Sequence, residues 1–167
     1  MLAFLLWAGM FIAALLYVHR YGSPIPWGDD WANVPYVIGK RPITIKWLWS
    51  LHNEHRVPLP RLVYVAAMRA GGNDFRAGMY VNVFLLATIA LLFLILMRRM
   101  RGRIGPGDLF FPLCLLSLAQ FENLLWSFQL AFVISTFLFC FVLFQIAQLT
   151  EKDLCRRLLS IAAIAPL

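Results

Sequence analysis

Two adjacent carboxylates, Asp29 and Asp30, lie between Trp27 and Trp31 in a chain that contains only eight acidic residues. One carboxylate of such a pair could act as a general base toward a hydroxyl group, while its like-charged neighbour raises the pKa of one member. A divalent cation could instead be held between them. The structural alternative is a Gly-Asp-Asp turn, in which one carboxylate caps a short helix over residues 29–38.

A second polar cluster comprises His52, Asn53, Glu54, His55 and Arg56. Residues 43–56 lack Gly and Pro, and their apolar residues recur at helical spacing, which predicts an amphipathic helix lying on the membrane surface. Two histidines on one face of this helix, beside the arginine, could bind a phosphate through charge-assisted hydrogen bonds. A zinc site matches this spacing less well, and the structural alternative is a solvated helix end.

A third cluster interrupts the longest apolar region and comprises Gln120, Glu122, Asn123 and Gln129. Polar groups surrounded by lipid are costly, so we expect these side chains to face a cavity or the interior of a helix bundle. Glu122 is the main candidate for a functional contact. The alternative is a hairpin turn at the membrane interface, anchored by Trp126.

The elements that must position these clusters are membrane helices. Apolar residues make up 62% of the 167 residues and charged residues 14%, whereas average soluble domains carry about 25% charged residues. The chain is therefore predicted to be an all-α, polytopic helical membrane protein with four to five transmembrane helices in a single membrane domain, 1–167. The predicted spans are 2–19, 78–97, 108–121, 128–149 and a truncated 158–167.

The truncated last span predicts a fragment of a longer protein. The first span is interpreted as an uncleaved signal anchor, with a cleaved signal peptide as the alternative. Four arginines within residues 98–103 follow the second span, which is typical of a cytoplasmic helix end. The N-terminus is then cytoplasmic, and residues 20–77 and the turn at 120–128 are extracytoplasmic, so all three polar clusters meet on one side of the membrane.

The extracytoplasmic loop over residues 20–77 is predicted to hold two juxtamembrane helices, 43–56 and 61–70, the second closed by Gly71 and Gly72. The loop carries eight Lys and Arg residues, against the usual charge bias. Such residues could bind an anionic group beside the lipid. The cytoplasmic arginines are explained by topology, so no nucleic acid partner is expected.

This arrangement resembles the N-terminal part of polytopic GT-C-fold glycosyltransferases. The resemblance is carried by the first span, the Asp29-Asp30 pair in the outer loop, the juxtamembrane helices and the basic turn after the second span. The stretches 51–56 and 120–129 are also similar to those of bacterial membrane proteins of this kind. The resemblance implies a bacterial inner membrane location, a sugar donor linked to polyprenyl phosphate, and inverting transfer.

The resemblance further implies that Asp29 or Asp30 is the catalytic base. On chemical grounds, the candidates for contact with the substrate are Glu54, His55, Arg56, Arg61, Glu122 and Trp31. No cofactor is assigned, and a divalent cation stays open as an alternative. The expected partners are membrane lipids and the lipid-linked sugar. The chain departs from the family because its acidic pair lies some ten residues past the first span and because it has fewer spans.

Two other classes of function fit the same composition. In a transporter or flippase-like fragment, Glu122 and the neighbouring glutamines would line a path through the bundle. In a non-catalytic membrane subunit, the outer helices would bind a partner protein.

Overall fold

A computed structural model describes residues 2–148 of the protein. In chain order the helices are α1 (Leu2–Tyr21), α2 (Val34–Val37), α3 (Ile45–Leu48), α4 (Pro58–Ala70), α5 (Arg76–Arg101), α6 (Phe110–Leu115), α7 (Phe121–Leu125) and α8 (Leu130–Ile146). Short 3-10 turns cover Gly28–Ala32, Pro106–Leu109 and Ser127–Gln129. Strands β1 (Leu51–His52) and β2 (His55–Arg56) form an antiparallel hairpin, with Leu51 opposite Arg56 and His52 opposite His55.

Within residues 2–148, three helical segments are long and apolar enough to cross a membrane: Leu2–Tyr21, Arg76–Arg101 and Ser127–Ile146. Their lengths of 20, 26 and 20 residues match the roughly 20 residues that span a bilayer core at ~1.5 Å per residue. The predicted class, an all-α helical membrane protein, is confirmed. The predicted span over 158–167 lies outside the described residues.

Helix α5 is the centre of the bundle and packs against α1, α4 and α8. We call the end of the bundle at Tyr21, Arg76 and Leu130 the loop end, and the opposite end the arginine end. The largest apolar cluster joins α1, α5, α8 and the segment before α8, and includes Val18, Val83, Leu86, Leu116, Leu124 and Val133.

The segment predicted as a span over 108–121 is not one continuous helix. Asp108 pairs with Arg101 at the arginine end, and the Phe111 ring stacks on Phe93 with centroids 5.0 Å apart. The Asn82 amide donates to the Trp126 carbonyl at 3.1 Å, near the loop end. The segment therefore runs antiparallel along α5 as α6, an irregular turn and α7.

Polar side chains explain why this segment is broken. The Gln120 amide donates to the carbonyl of Cys114, and the Ala119 N–H donates to the Ser117 hydroxyl at 3.2 Å. Asn123 donates to the Gln120 side chain at 2.9 Å. Such side chains compete with helical hydrogen bonding and satisfy the backbone groups that a break leaves free. This network, rather than a cavity, accounts for Gln120 and Asn123.

The predicted amphipathic helix over 43–56 is wrong. Helix α3 covers only Ile45–Leu48, and the chain then forms the β1–β2 hairpin. Asn53 turns the hairpin with a left-handed φ of 50°, which Asn tolerates better than most residues. The predicted helix over 61–70 is present as α4, which begins three residues earlier at Pro58, because proline suits the first turn of a helix.

The predicted helix over 29–38 is present only as the 3-10 turn at Gly28–Ala32, followed by α2. Neither aspartate is the N-cap residue, which is Trp27. Instead, Asp30 lies inside the turn and its carboxylate accepts the Trp27 N–H. The carboxylate thus satisfies a backbone donor at the start of the turn, as a capping box does.

Candidate functional site

A cavity of about 530 Å³ lies at the loop end, between the β1–β2 hairpin and the start of α8. We call it the hairpin cavity. Its polar lining comes from the 3-10 turn and the hairpin: Asp29, His52, Asn53, His55 and Arg56. Its other wall, largely apolar, comes from the end of the hairpin and from α8 with the turn before it: Val57, Trp126, Phe128, Ala131, Phe132 and Ser135. Charged groups thus face the flank of a candidate membrane helix.

Asp29 and His52 form the closest acid–base pair in this cavity. Asp29 Oδ2 lies 3.7 Å from His52 Nε2, which is too far for a hydrogen bond. His52 Nε2 is buried and has no hydrogen-bond partner among residues 2–148, while its ring packs against Phe128 with centroids 4.7 Å apart. A buried polar atom without a partner is costly.

The structure separates the two aspartates of the acidic pair. Asp30 is only 1% exposed; its Oδ1 accepts from the Tyr64 hydroxyl at 2.6 Å and its Oδ2 from the Trp27 N–H at 3.1 Å. Burial raises the pKa of Asp30 above its ordinary value and, with the Asp30 charge next to it, raises the pKa of Tyr64 as well. Asp30 is therefore engaged in the interior, and Asp29 is the member of the pair that faces the hairpin cavity.

Aromatic packing positions the turn that carries Asp29. The Trp27 ring meets the Trp126 ring edge-on with centroids 4.8 Å apart, and Trp126 Nε1 donates to the Trp27 carbonyl at 3.1 Å. Gly28 adopts a left-handed φ of 54°, and a Cβ there would approach the Trp126 ring to 3.1 Å. Glycine thus permits the close contact that places the acidic turn against the segment before α8.

His52 and His55 lie side by side, but for a different reason from the one predicted. They face each other as a cross-strand pair, and directly opposed residues project to the same face of a hairpin. His55 and Arg56 are exposed at the mouth of the cavity. The hairpin therefore contributes two imidazoles and one guanidinium to the lining of the cavity that Asp29 also lines.

Arg61 does not line the hairpin cavity, contrary to the expectation that it contacts substrate. It is 6% exposed and its guanidinium lies 5.2 Å from the centre of the Trp47 ring. It donates to the backbone between α3 and β1, namely to the carbonyl oxygens of Trp47, Leu48, Ser50 and Leu51, and to the Ser50 hydroxyl. Arg61 thus stabilises the base of the hairpin through hydrogen bonds to its backbone.

Three other expected substrate contacts also lie away from the hairpin cavity. Glu54 is exposed in the hairpin turn, Glu122 is exposed on the first turn of α7, and Trp31 is 61% exposed. The exposure of Glu122 contradicts its expected place in a cavity or bundle interior. Within residues 2–148, no group of three or more His, Cys, Asp or Glu side chains could hold a metal ion, so no ligand cluster there supports the expected divalent cation.

Several cavity residues were not among the candidates from the sequence. His52 belonged to the second polar cluster, but its contact with Asp29 could not be read from their separation in sequence. Phe128 and Phe132 form the apolar wall, and the only signal for them was their position at the start of an apolar run. No protein-family model, curated protein or solved structure matches this chain. Its function is therefore inferred from the chemistry of the hairpin cavity.

Proposed function

We propose that the hairpin cavity is the donor site of a membrane glycosyltransferase that takes a sugar from a polyprenyl phosphate, with Asp29 as the general base. One observation carries the proposal: a partly exposed carboxylate, two histidines and an arginine line a cavity whose opposite wall is apolar and belongs to a candidate membrane helix. A lipid-linked phosphate needs both kinds of wall, because its headgroup is anionic and its chain is apolar.

The cationic side of the cavity suits the phosphate of such a donor. Arg56 is exposed at the mouth and carries a planar guanidinium, which binds phosphate oxygens in a bidentate manner. His55 lies beside it on β2 and can donate a further hydrogen bond. The first isoprene units would then lie along Ala131 and Phe132 of α8.

Asp29 lines the same cavity and, within residues 2–148, makes no side-chain hydrogen bond. In the proposed reaction its carboxylate takes the proton from an acceptor hydroxyl, whose oxygen then forms a bond to the anomeric carbon of the sugar. The bond between that carbon and the phosphate oxygen breaks. The electron pair leaves with the polyprenyl phosphate, whose charge Arg56 stabilises, and the anomeric centre is inverted.

His52 supports Asp29 in this scheme. Its ring packs against Phe128, which places Nε2 3.7 Å from Asp29 Oδ2 on the same side of the cavity. A transporter would instead need Glu122 to line a path through the bundle. Glu122 is exposed on α7, which gives that alternative no support.

The test is sugar transfer from radiolabelled polyprenyl-phosphate donors, measured in membranes of cells that express the protein. Asp29→Asn should lower kcat by a factor of about 10² to 10⁴, the usual contribution of general base catalysis. Arg56→Gln should mainly raise KM for the donor. Asp30→Asn should retain transfer, and Glu54→Gln, an exposed acid in the adjacent hairpin turn, is the matched control.

Unchanged transfer by the Asp29→Asn variant would refute the role of base. A loss of transfer that is equally large in the Glu54→Gln control would show that the acids act only through general charge near the membrane.

A further inference from the structure

A second cavity lies at the arginine end, on the opposite side of the bundle from the hairpin cavity. It has a volume of about 450 Å³ and is lined by Phe4, Arg98, Arg103 and Ile104. We call it the arginine cavity. Phe4 belongs to the first turn of α1 and Arg98 to the last turn of α5, so the cavity lies where two candidate membrane helices end.

The chain reversal after α5 builds this cavity. Helix α5 ends at Arg101, and Gly102 follows with a left-handed φ of 71°, the usual conformation of glycine after a helix. The turn sends Arg103 and Ile104 back beside the start of α1, into the lining that also contains Arg98. Two guanidinium groups that are five residues apart are thereby brought to one cavity.

The other two arginines of this region are already engaged. Arg101 pairs with Asp108, and Arg99 donates to the Gln148 side chain. Within residues 2–148, Arg98 and Arg103 take part in none of the ion pairs. Of the four arginines in this region, the two that line the cavity are those whose guanidinium groups have no side-chain partner within the described residues.

We propose that the arginine cavity binds the phosphodiester headgroup of one anionic phospholipid. Two guanidinium groups provide the planar, multiple donors that match phosphate oxygens. Phe4 and Ile104 provide an apolar side for the start of an acyl chain, which a free phosphate ion would not need. Basic pockets between membrane helices at the level of the headgroups bind anionic lipids in this way.

The arginine-rich turn also has a purely topological explanation, because Lys and Arg residues orient membrane helices. That role depends on the positive charge and not on which arginine carries it. A binding site instead distinguishes Arg98 and Arg103 from Arg99, their neighbour outside the cavity. It also distinguishes arginine from lysine, which keeps the charge but loses the planar fork.

The experiment titrates the purified protein in zwitterionic detergent with short-chain phosphatidylglycerol and measures affinity by native mass spectrometry. Phosphatidylcholine and inorganic phosphate are the comparison ligands. The double variant Arg98→Lys with Arg103→Lys should bind phosphatidylglycerol about 5- to 10-fold more weakly, which corresponds to roughly 1 to 1.4 kcal/mol. Arg99→Lys is the matched control and should remain within about twofold of wild type.

Lysine variants preserve the net charge, so the orientation of the helices is retained, and thermal unfolding in the same detergent checks that each variant is folded. The proposal is overturned if the double variant binds like wild type or if Arg99→Lys weakens binding as much as the double variant does. It is also overturned if phosphatidylcholine binds as tightly as phosphatidylglycerol, or if inorganic phosphate competes at concentrations similar to those of the lipid.

Discussion

Asp30 and Tyr64 should behave as a structural pair, and their replacement should change the stability of the protein. The hydroxyl of Tyr64 donates to Asp30 at 2.6 Å across 34 residues of sequence, and both side chains are buried. Three substitutions are informative. Tyr64→Phe removes the donor, and Asp30→Ala removes both acceptor oxygens. Asp30→Asn removes the charge and replaces one acceptor oxygen by a donor.

The expected magnitudes follow from the hydrogen bonds that each change removes. Tyr64→Phe deletes one bond to a charged acceptor and should lower the free energy of unfolding by about 1.5–3 kcal/mol. Asp30→Ala leaves the Tyr64 hydroxyl and the Trp27 N–H without their acceptor, at about 1–3 kcal/mol for each unpaired buried donor. Asp30→Asn keeps one acceptor oxygen, leaves one of the two buried donors unpaired, and should therefore cost about 1–3 kcal/mol, less than Asp30→Ala.

The stability difference between wild type and Asp30→Asn should also depend on pH. Burial raises the pKa of Asp30 above its ordinary value of 3.8, so the folded state binds the proton more tightly than the unfolded state. The contribution of Asp30 to stability is greatest below that ordinary value and is lost as pH rises through the folded-state pKa. Wild type should therefore lose stability relative to the asparagine variant over that window.

The assay is equilibrium unfolding in mixed micelles, followed by tryptophan fluorescence from about pH 4 to about pH 8. Asp74, whose pKa is lowered by Arg76, titrates in every variant and cancels in the comparison. The reasoning is refuted if Asp30→Ala is as stable as wild type, or if Asp30→Asn is destabilised as much as Asp30→Ala. A difference that runs with pH in the opposite direction would also refute the buried-carboxylate argument.

Three further substitutions, one of them with a matched control, test how the cavity and the bundle are held. Arg61→Lys should remove hydrogen bonds at the base of the hairpin. Amide hydrogen exchange over residues 51–56 should then become about 10- to 100-fold faster, equivalent to one or two lost charge-assisted bonds. Exchange within α8 should not change. Gly78→Leu should destabilise the bundle by about 1–3 kcal/mol, since a Cβ there would approach the Met68 side chain to 2.5 Å. Gly9→Leu, with nothing within 4 Å, should not lower the temperature of thermal unfolding. Trp7→Phe should cost about 1 kcal/mol in the same measurement because it removes the 2.8 Å bond to the carbonyl of Ala87.

The membrane class and the positions of the long helices could be predicted from the sequence. A helix such as α5 depends on the summed hydropathy of about 20 consecutive residues, and such a sum is available without a fold. The polar clusters that line the hairpin cavity were also visible, because charged residues are rare in this chain. Helix α4 was predicted for a similar reason, since Gly71 marks its end locally.

The hairpin could not be predicted in this way. Residues 43–56 have helical periodicity, yet the backbone near Ser50 follows a different path because Arg61 supplies several hydrogen-bond donors from α4. Arg61 itself was a candidate for substrate contact on chemical grounds alone, because a guanidinium can bind a phosphate. Only the tertiary structure shows that its guanidinium packs against the Trp47 ring inside the fold.

By itself, the sequence determined that this protein is a bundle of membrane helices with an acidic pair near one end. The tertiary structure decided which aspartate is available for chemistry. Adjacent residues in a tight turn point to different sides, and Tyr64 holds Asp30 in the interior while Asp29 lies near His52 in the hairpin cavity. Hydropathy is local and additive, whereas the environment of a carboxylate depends on partners that are distant in sequence and meet only after folding.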